Sequence, residues 1–210
     1  DIGGAASSLG VGIPTGLTDG DGQYLWATGF TVGGGSPVLS APSGWTQYGS
    51  TITGALGAVD LSIALYWRIA SSDGTATYTS DRAAFMAAVR CAYQFPHPAE
   101  WPSGITITTG TTASGTSHDA TGITTTRRRQ LTTWLIVGST GSTWTPPGTV
   151  TERADLAGGI SFAVGDAIED AIGATGSRTF TSSVTLESRW AVAAFNGAPR
   201  PNGISRLGVC

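Results

Sequence analysis

Two stretches of this chain, about half its length apart, carry nearly the same residues. Leu61-Ser62-Ile63-Ala64-Leu65 matches Ile160-Ser161-Phe162-Ala163-Val164, apolar on apolar and small on small. Pro42-Ser43-Gly44-Trp45-Thr46 lies upstream of the first copy and Pro146-Pro147-Gly148-Thr149 upstream of the second. Downstream, Thr77-Tyr78-Thr79 and Thr179-Phe180-Thr181 each precede an Ala-rich stretch ending in an aromatic, at Tyr93 and at Phe195. The period is far longer than the ~20–50 residues of solenoid repeats. It therefore predicts one domain built from two related halves, about 13–95 and 105–198. The repeated residues are core and turn residues, so the repeat speaks to architecture and not to chemistry.

Composition narrows the fold class. Only 12% of the 210 residues are charged, and there are 31 Gly and 31 Thr. Thr favours strands and Gly favours turns, which predicts an all-β fold with many short connections. All eleven basic residues are Arg; Lys is absent. A surface with so little charge offers weak repulsion against neighbours and suits a subunit packed in an assembly. The net charge of −3 argues against a nucleic-acid partner, which a basic excess would favour. No apolar run approaches the ~18 residues of a membrane span. The chain opens on Asp1 and not on Met, which leaves open a segment removed or omitted ahead of it. The two cysteines, Cys91 and Cys210, make no disulfide framework; Cys91 is expected as a buried, inert thiol, and a bridge between the two stays open.

Hydrophobic periodicity places eleven to thirteen short strands. The firmest is Leu61–Ile69, where Leu61, Ile63, Leu65, Trp67 and Ile69 alternate with Ser62, Ala64, Tyr66 and Arg68. Further strands are predicted at 24–32, 45–52, 76–80, 85–95, 105–112, 118–126, 130–137, 150–154, 159–164, 177–181 and 188–195. Residues 1–12 read as an N-terminal strip, 167–171 as a short helical turn, and 199–210 as a proline-bearing C-terminal arm. Turn signals at this spacing, in two related halves, predict a jelly-roll-like β-sandwich with internal pseudo-twofold duplication.

The candidate chemistry is thin. Ser117-His118-Asp119 holds the residue types of a hydrolase triad, but consecutive strand residues point to alternate faces and cannot form the relay. The four glutamates, Glu100, Glu152, Glu169 and Glu187, are scattered, against the paired carboxylates of glycoside cleavage. Asp19-Gly20-Asp21-Gly22 opens like a calcium loop, yet the twelfth position is Phe30 where Glu is needed. No zinc-ligand spacing is present, and no cofactor is expected. Arg127-Arg128-Arg129 is the one charge cluster, suited to a phosphate, an acidic glycan or a neighbour's carboxylate, or simply solvated at a strand entrance. Of seven tryptophans, Trp67 and Trp190 read as core, and Trp45 and Trp144 as plugs beside equivalent turns. Trp101, among the prolines of 96–102, is the candidate for ligand or subunit contact.

Four residue groups carry a resemblance. They are Pro42-Ser43-Gly44-Trp45-Thr46; Leu65-Tyr66-Trp67-Arg68-Ile69-Ala70 with Ala76-Thr77-Tyr78-Thr79; Trp144-Thr145-Pro146-Pro147-Gly148 with Thr151-Glu152-Arg153; and Gly173-Ala174-Thr175-Gly176-Ser177-Arg178-Thr179 with Trp190-Ala191-Val192-Ala193-Ala194. Together, over about residues 10–198, they resemble a jelly-roll-like β-sandwich domain of tailed-phage virion proteins, prophage genes and some bacterial surface proteins. The resemblance implies a non-enzymatic virion subunit, of capsid-decoration, head-fibre or tail-fibre type, located at the particle surface. It carries over no catalytic residue. The implied partners are other virion proteins, such as major capsid or tail subunits, and further copies of the chain, with no nucleic acid and no membrane. Docking would fall to the N-terminal strip or the C-terminal arm, with Asn202, Ile204, Arg206 and Leu207 as contacts beside Trp101 and the three arginines. The alternative is a carbohydrate-binding adhesin module of a fibre that takes a host-surface glycan, or a bacterial surface protein.

Overall fold

A computed structural model describes the chain over residues 2–94 and 105–195. The chain is all-β, with two similarly sized antiparallel sheets, a topology compatible with the expected jelly-roll-like sandwich. It divides into two compact units, the first from Asp1 to Pro98 and the second from Ala99 to Pro199.

The first unit holds β1 (Ile2–Val11), β2 (Gly22–Thr31), β3 (Leu39–Ser40), β4 (Thr46–Leu56), β5 (Val59–Ile69) and β6 (Ala76–Tyr93). Its sheet runs β1-β6-β2-β5-β4, with β3 also on β6. Leu56 and Val59 close the β4–β5 hairpin around a two-residue loop whose first residue, Gly57, has φ 60. That is the glycine position of a type II′ turn, whose twist matches the flanking strands.

The first unit closes its core by bending its longest strand. The second half of β6 pairs with β2, while its first half carries β3. Between them the ladder to β1 shifts register, and Asp81, Arg82 and Ala83 stand exposed. Residues read as a break between two strands are thus a bulge in one bent strand. Ala76 and Tyr78 from the first half then share one cluster with Met86 and Ala88 from the second, and with Leu25, Ala27, Ala64 and Tyr66. The Tyr78 hydroxyl lies 2.9 Å from the Thr28 carbonyl and 3.0 Å from that of Ala87, tying the two halves together. Alternate residues such as Trp26, Ile63 and Leu65 are buried as well, so β2 and β5 are buried on both faces and not half-exposed.

The second unit holds β7 (Thr106–Ala120), β8 (Thr124–Thr125), β9 (Gln130–Gly138), β10 (Trp144–Thr145), β11 (Thr151–Leu156), β12 (Ser161–Glu169), β13 (Gly173–Ala174) and β14 (Arg178–Phe195). Its main sheet runs β14-β9-β12-β11, with β7 and β10 both on β14; β8 and β13 form a separate two-stranded ribbon. Strand for strand this is the order of the first sheet. The register agrees with the sequence match: Ala64 pairs with Ala27 of β2, and Ala163 with Ile136 of β9.

Several local readings change. Residues 2–11, read as a strip ahead of the domain, form β1 and pair with β6. Their Gly, Ala and Ser residues lack the apolar alternation that marks a strand. Residues 167–169 are strand and not helical turn, because Ala167 and Ile168 pair with Thr132 and Leu131 and the ladder overrides local propensity. Trp45 and Trp144 do not occupy matching places. The equivalent turns close by Trp45 N to Pro42 O and Val150 N to Pro147 O, so Trp45 corresponds to Val150. Trp144 faces Ser182 as Leu39 faces Ser80.

Candidate functional site

The Arg127–Arg129 cluster lies in the turn from β8 into β9. Gln130, buried at the start of β9, fixes that turn: its Oε1 accepts from the backbone N–H of Thr126 at 2.6 Å and of Arg127 at 3.1 Å. Arg129 takes the left-handed conformation at φ 58. Arg127 and Arg128 are exposed. Arg129 Nη1 reaches Asp170 Oδ1 at 3.4 Å, an exposed pair of the kind worth about 0–1 kcal/mol. Ile172 stands 62% exposed two residues on from Asp170. The turn backbone is fixed and Arg128 stands exposed on it, so this residue type in this place could meet a carboxylate or another anion, while Arg129 is already engaged by Asp170. Trp101, Asn202, Ile204, Arg206 and Leu207 lie outside the described residues.

A second exposed feature escaped sequence reading, which took Gly33-Gly34-Gly35 only as a strand breaker. All three glycines have positive φ, between 68 and 93. The loop is held in place: Gly35 N–H donates to Asp60 Oδ2 at 3.0 Å, Thr31 Oγ1 to Gly35 O at 2.8 Å, and Val38 N–H to Asp81 Oδ1 at 2.8 Å. Arg82, paired with Asp81, also donates to the Gly34 carbonyl. Val32 is 76% exposed, Val38 58% and Phe85 49%. A fixed backbone thus presents bare apolar side chains at one end of the first unit.

The buried charges are engaged with one another. Arg90, inside the Ala-rich half of β6, places Nη2 3.1 Å from Asp73 Oδ1, and Arg68 Nη1 lies 3.2 Å from the same oxygen. Gln23 Nε2 donates to Asp73 Oδ2 at 2.8 Å, and Arg90 Nε donates to Gln23 Oε1 at 2.7 Å. The ring of Trp45 lies against both guanidinium groups, 5.2 Å from Arg90 and 5.9 Å from Arg68. In the second unit Arg153 makes a two-pronged pair with buried Asp166, and Arg178 joins Glu169 with the Trp134 ring 5.8 Å away. The sequence signal for this was one arginine inside an apolar strand. Glu152 is the carboxyl pushed above its ordinary range, by partial burial first and by Asp155 second, but it stands exposed on the edge strand β11.

The triad-like run separates as its spacing predicts. Ser117 and Asp119 are exposed while His118 is fully buried. His118 Nε2 lies 2.9 Å from Ser182 Oγ, with the Trp144 ring edge-on at 5.0 Å. Ser182 Oγ donates its one proton to the Val184 carbonyl at 2.7 Å. His118 is therefore the donor to Ser182 and not a base drawing a proton from it. Burial, moreover, pushes the imidazole below its ordinary pKa. The pair is a core hydrogen bond without substrate access.

The remaining candidates serve structure. Asp21 Oδ2 accepts from Thr18 N–H at 2.9 Å within the turn and Asp19 Oδ1 from Ser72 N–H at 3.0 Å in the β5–β6 loop, so both oxygens of the calcium-like run are engaged by backbone. Among the described residues no three of His, Cys, Asp and Glu gather to hold a metal. Cys91 is buried but is not the free thiol expected from its place in the strand; it is disulfide-bonded. Cys210 lies outside the described residues. Five of the six described tryptophans are buried, which removes them as an open sugar platform; Trp67 is half-buried. No described helix is long and apolar enough to cross a membrane. The structure is consistent with a non-catalytic, all-β structural domain. Compared with known proteins, the chain matches no family model, no curated protein and no solved structure.

Proposed function

We propose that this chain is a non-enzymatic structural subunit of a phage particle, of capsid-decoration or head-fibre type, built as a duplicated jelly-roll-like sandwich. One contrast carries the reading. Among the described residues, Arg90, Asp73, Asp166 and His118 are buried in ion pairs and core hydrogen bonds, whereas the exposed surface includes fixed loops: an arginine turn at 127–129 and apolar side chains at Val32, Val38 and Phe85. Loops already fixed lose little conformational entropy on docking, which favours association with a neighbouring subunit. The repeated strand order and the resemblance to tailed-phage sandwich domains support the particle as the place of that association.

Purified particles test this directly. Immunogold electron microscopy with antibody to the chain should decorate the particle surface, and mass spectrometry should find the chain at a fixed stoichiometry to the major capsid protein. Its absence from intact particles overturns the proposal. Deleting residues 202–210 tests the arm separately: unchanged incorporation and particle stability would remove the arm as a docking element. A fibre adhesin would instead give glycan-array binding that Trp101→Ala abolishes.

A further inference from the structure

Cys91 sits in the sealed half of β6. It pairs with Tyr24 of β2, in a ladder that runs without a shift from Tyr93 opposite Gly22 to Phe85 opposite Phe30. Cys91 is 1% exposed, and Val89, Ala92 and Tyr93 beside it are buried as well. Such a residue reads as an inert core thiol. In the folded protein it is instead disulfide-bonded. The chain has two cysteines, Cys91 and Cys210, so the partner of Cys91 within one chain is fixed by count. A link between the Cys91 residues of two copies is excluded by burial, because side chains this enclosed cannot come within bonding distance of each other.

We propose that Cys91 and Cys210 form a structural disulfide that closes the chain into a ring, running from β6 through all eight strands of the second unit to the last residue. Two thiols become one S–S bond with loss of two protons and two electrons. A low-molecular-weight disulfide, such as oxidised glutathione, takes them up. One Cys sulfur attacks it and displaces a first thiol, and the other Cys sulfur attacks the mixed disulfide and displaces the second. Such bonds form and persist in oxidising settings. A disulfide acts mainly by constraining the unfolded chain, and more so the longer the loop it closes. This ring takes in more than half of the sequence. Once formed, the bond is shielded. Reductant does not reach the buried Cys91 sulfur, and attack at Cys210 would expel a thiolate into an apolar core, where an unpaired charge is costly. The bond would also make residues 199–210 a loop tethered at both ends and not a free arm.

Peptide mapping of the full chain, purified without reductant and alkylated in urea before digestion, tests the bond. Lys is absent, so trypsin cuts at Arg alone and releases Cys91 within residues 91–127 and Cys210 within residues 207–210. The two peptides are expected as one cross-linked species that dithiothreitol separates. Alkylated Cys91 and Cys210, or a 207–210 peptide linked to its own copy, overturns the proposal. Dithiothreitol should open the bond about tenfold or more slowly in the folded chain than in urea, and equal rates overturn the shielding. Cys210→Ser should keep its circular dichroism and lower the urea midpoint to that of the reduced wild type. A midpoint equal to that of the oxidised wild type overturns the ring as a stabilising device. The inference stands apart from the particle reading. Deletion of residues 202–210 also removes Cys210, so Cys210→Ser tells a docking arm from a lost bond. A cross-linked chain absent from particles removes the particle alone, and a chain with two free thiols that still enters particles removes the bond alone.

Discussion

Asp73 Oδ1 lies 3.1 Å from Arg90 Nη2 with both side chains buried, so a turn residue between β5 and β6 neutralises an arginine inside an apolar strand. Breaking a buried pair by removing one partner leaves the other charge uncompensated. Asp73→Ala should therefore destabilise the chain by about 3–5 kcal/mol, read as a lowered urea midpoint at constant m. Arg129→Ala, which breaks an exposed pair with Asp170, should cost at most about 1 kcal/mol. Equal losses in the two variants would show that Asp73 does not hold Arg90 in place.

Gly110 sits where no side chain fits. A Cβ there would run into Cζ2, Cε2 and Cη2 of Trp190, the residue it pairs with across the β7–β14 ladder. Gly110→Ala should displace the indole, costing about 1–3 kcal/mol as an overpacked contact and changing the near-ultraviolet circular dichroism. The double variant Gly110→Ala, Trp190→Leu should lose less than the sum of the single losses. Strict additivity would mean that the two positions are not coupled.

The strands at 22–31, 59–69 and 130–138 were legible because β-branched and aromatic residues cluster there between turn signals. Legibility failed where pairing and not pattern makes the strand. β1 is Gly, Ala and Ser over much of its length and is strand because β6 offers it a ladder. The long strands β6 and β14 each read as two, since Asp81-Arg82 and Ser182-Ser183 look like turns and are bulges. In the stretches that look alike, Ser62–Leu65 pairs along β2 and Ser161–Val164 along β9, so the shared alternation falls on paired strand positions in both. Of the candidate contacts, the arginine turn was visible as a charge run. The apolar rim was not, because Val32 read as a strand end and Val38 fell between predicted strands, and only the tertiary ties of Asp60, Asp81 and Arg82 fix the loop that carries them.

His118 links the core to acid stability. Burial holds its folded pKa below the ordinary value, so the unfolded chain takes up a proton that the folded chain refuses. Stability contributed by the neutral imidazole is complete above the unfolded pKa of about 6.5 and falls as pH drops below it. The urea midpoint should decline between pH 7 and pH 5, at no more than about 1.4 kcal/mol per pH unit from this group. His118→Asn should start from a lower midpoint and show a flatter profile over that range. An unchanged slope in the variant would place the acid sensitivity elsewhere.

Tyr78 sets the opposite limit. Its phenol is buried beneath both halves of β6 with its hydroxyl at the Thr28 and Ala87 carbonyls, and burial raises its pKa far above the ordinary value; the charge of Tyr66 raises it further. Tyr66 is raised by burial too. In the unfolded chain these phenols ionise near pH 10, while the folded chain keeps them neutral. Above that pH the unfolded state binds fewer protons than the folded one, so stability falls as pH rises. Denaturant midpoints measured from pH 8.5 to 11.5 should hold steady at first and drop beyond about pH 10. Tyr78→Phe should lose about 1–2 kcal/mol at neutral pH, from the missing hydroxyl bond, and give a shallower alkaline drop. Ultraviolet difference spectra at 295 nm supply the second reading. Phenolate absorbance from Tyr78 should emerge only together with unfolding, and its appearance in the folded chain near pH 10 would mean that the strand's first half does not seal the core.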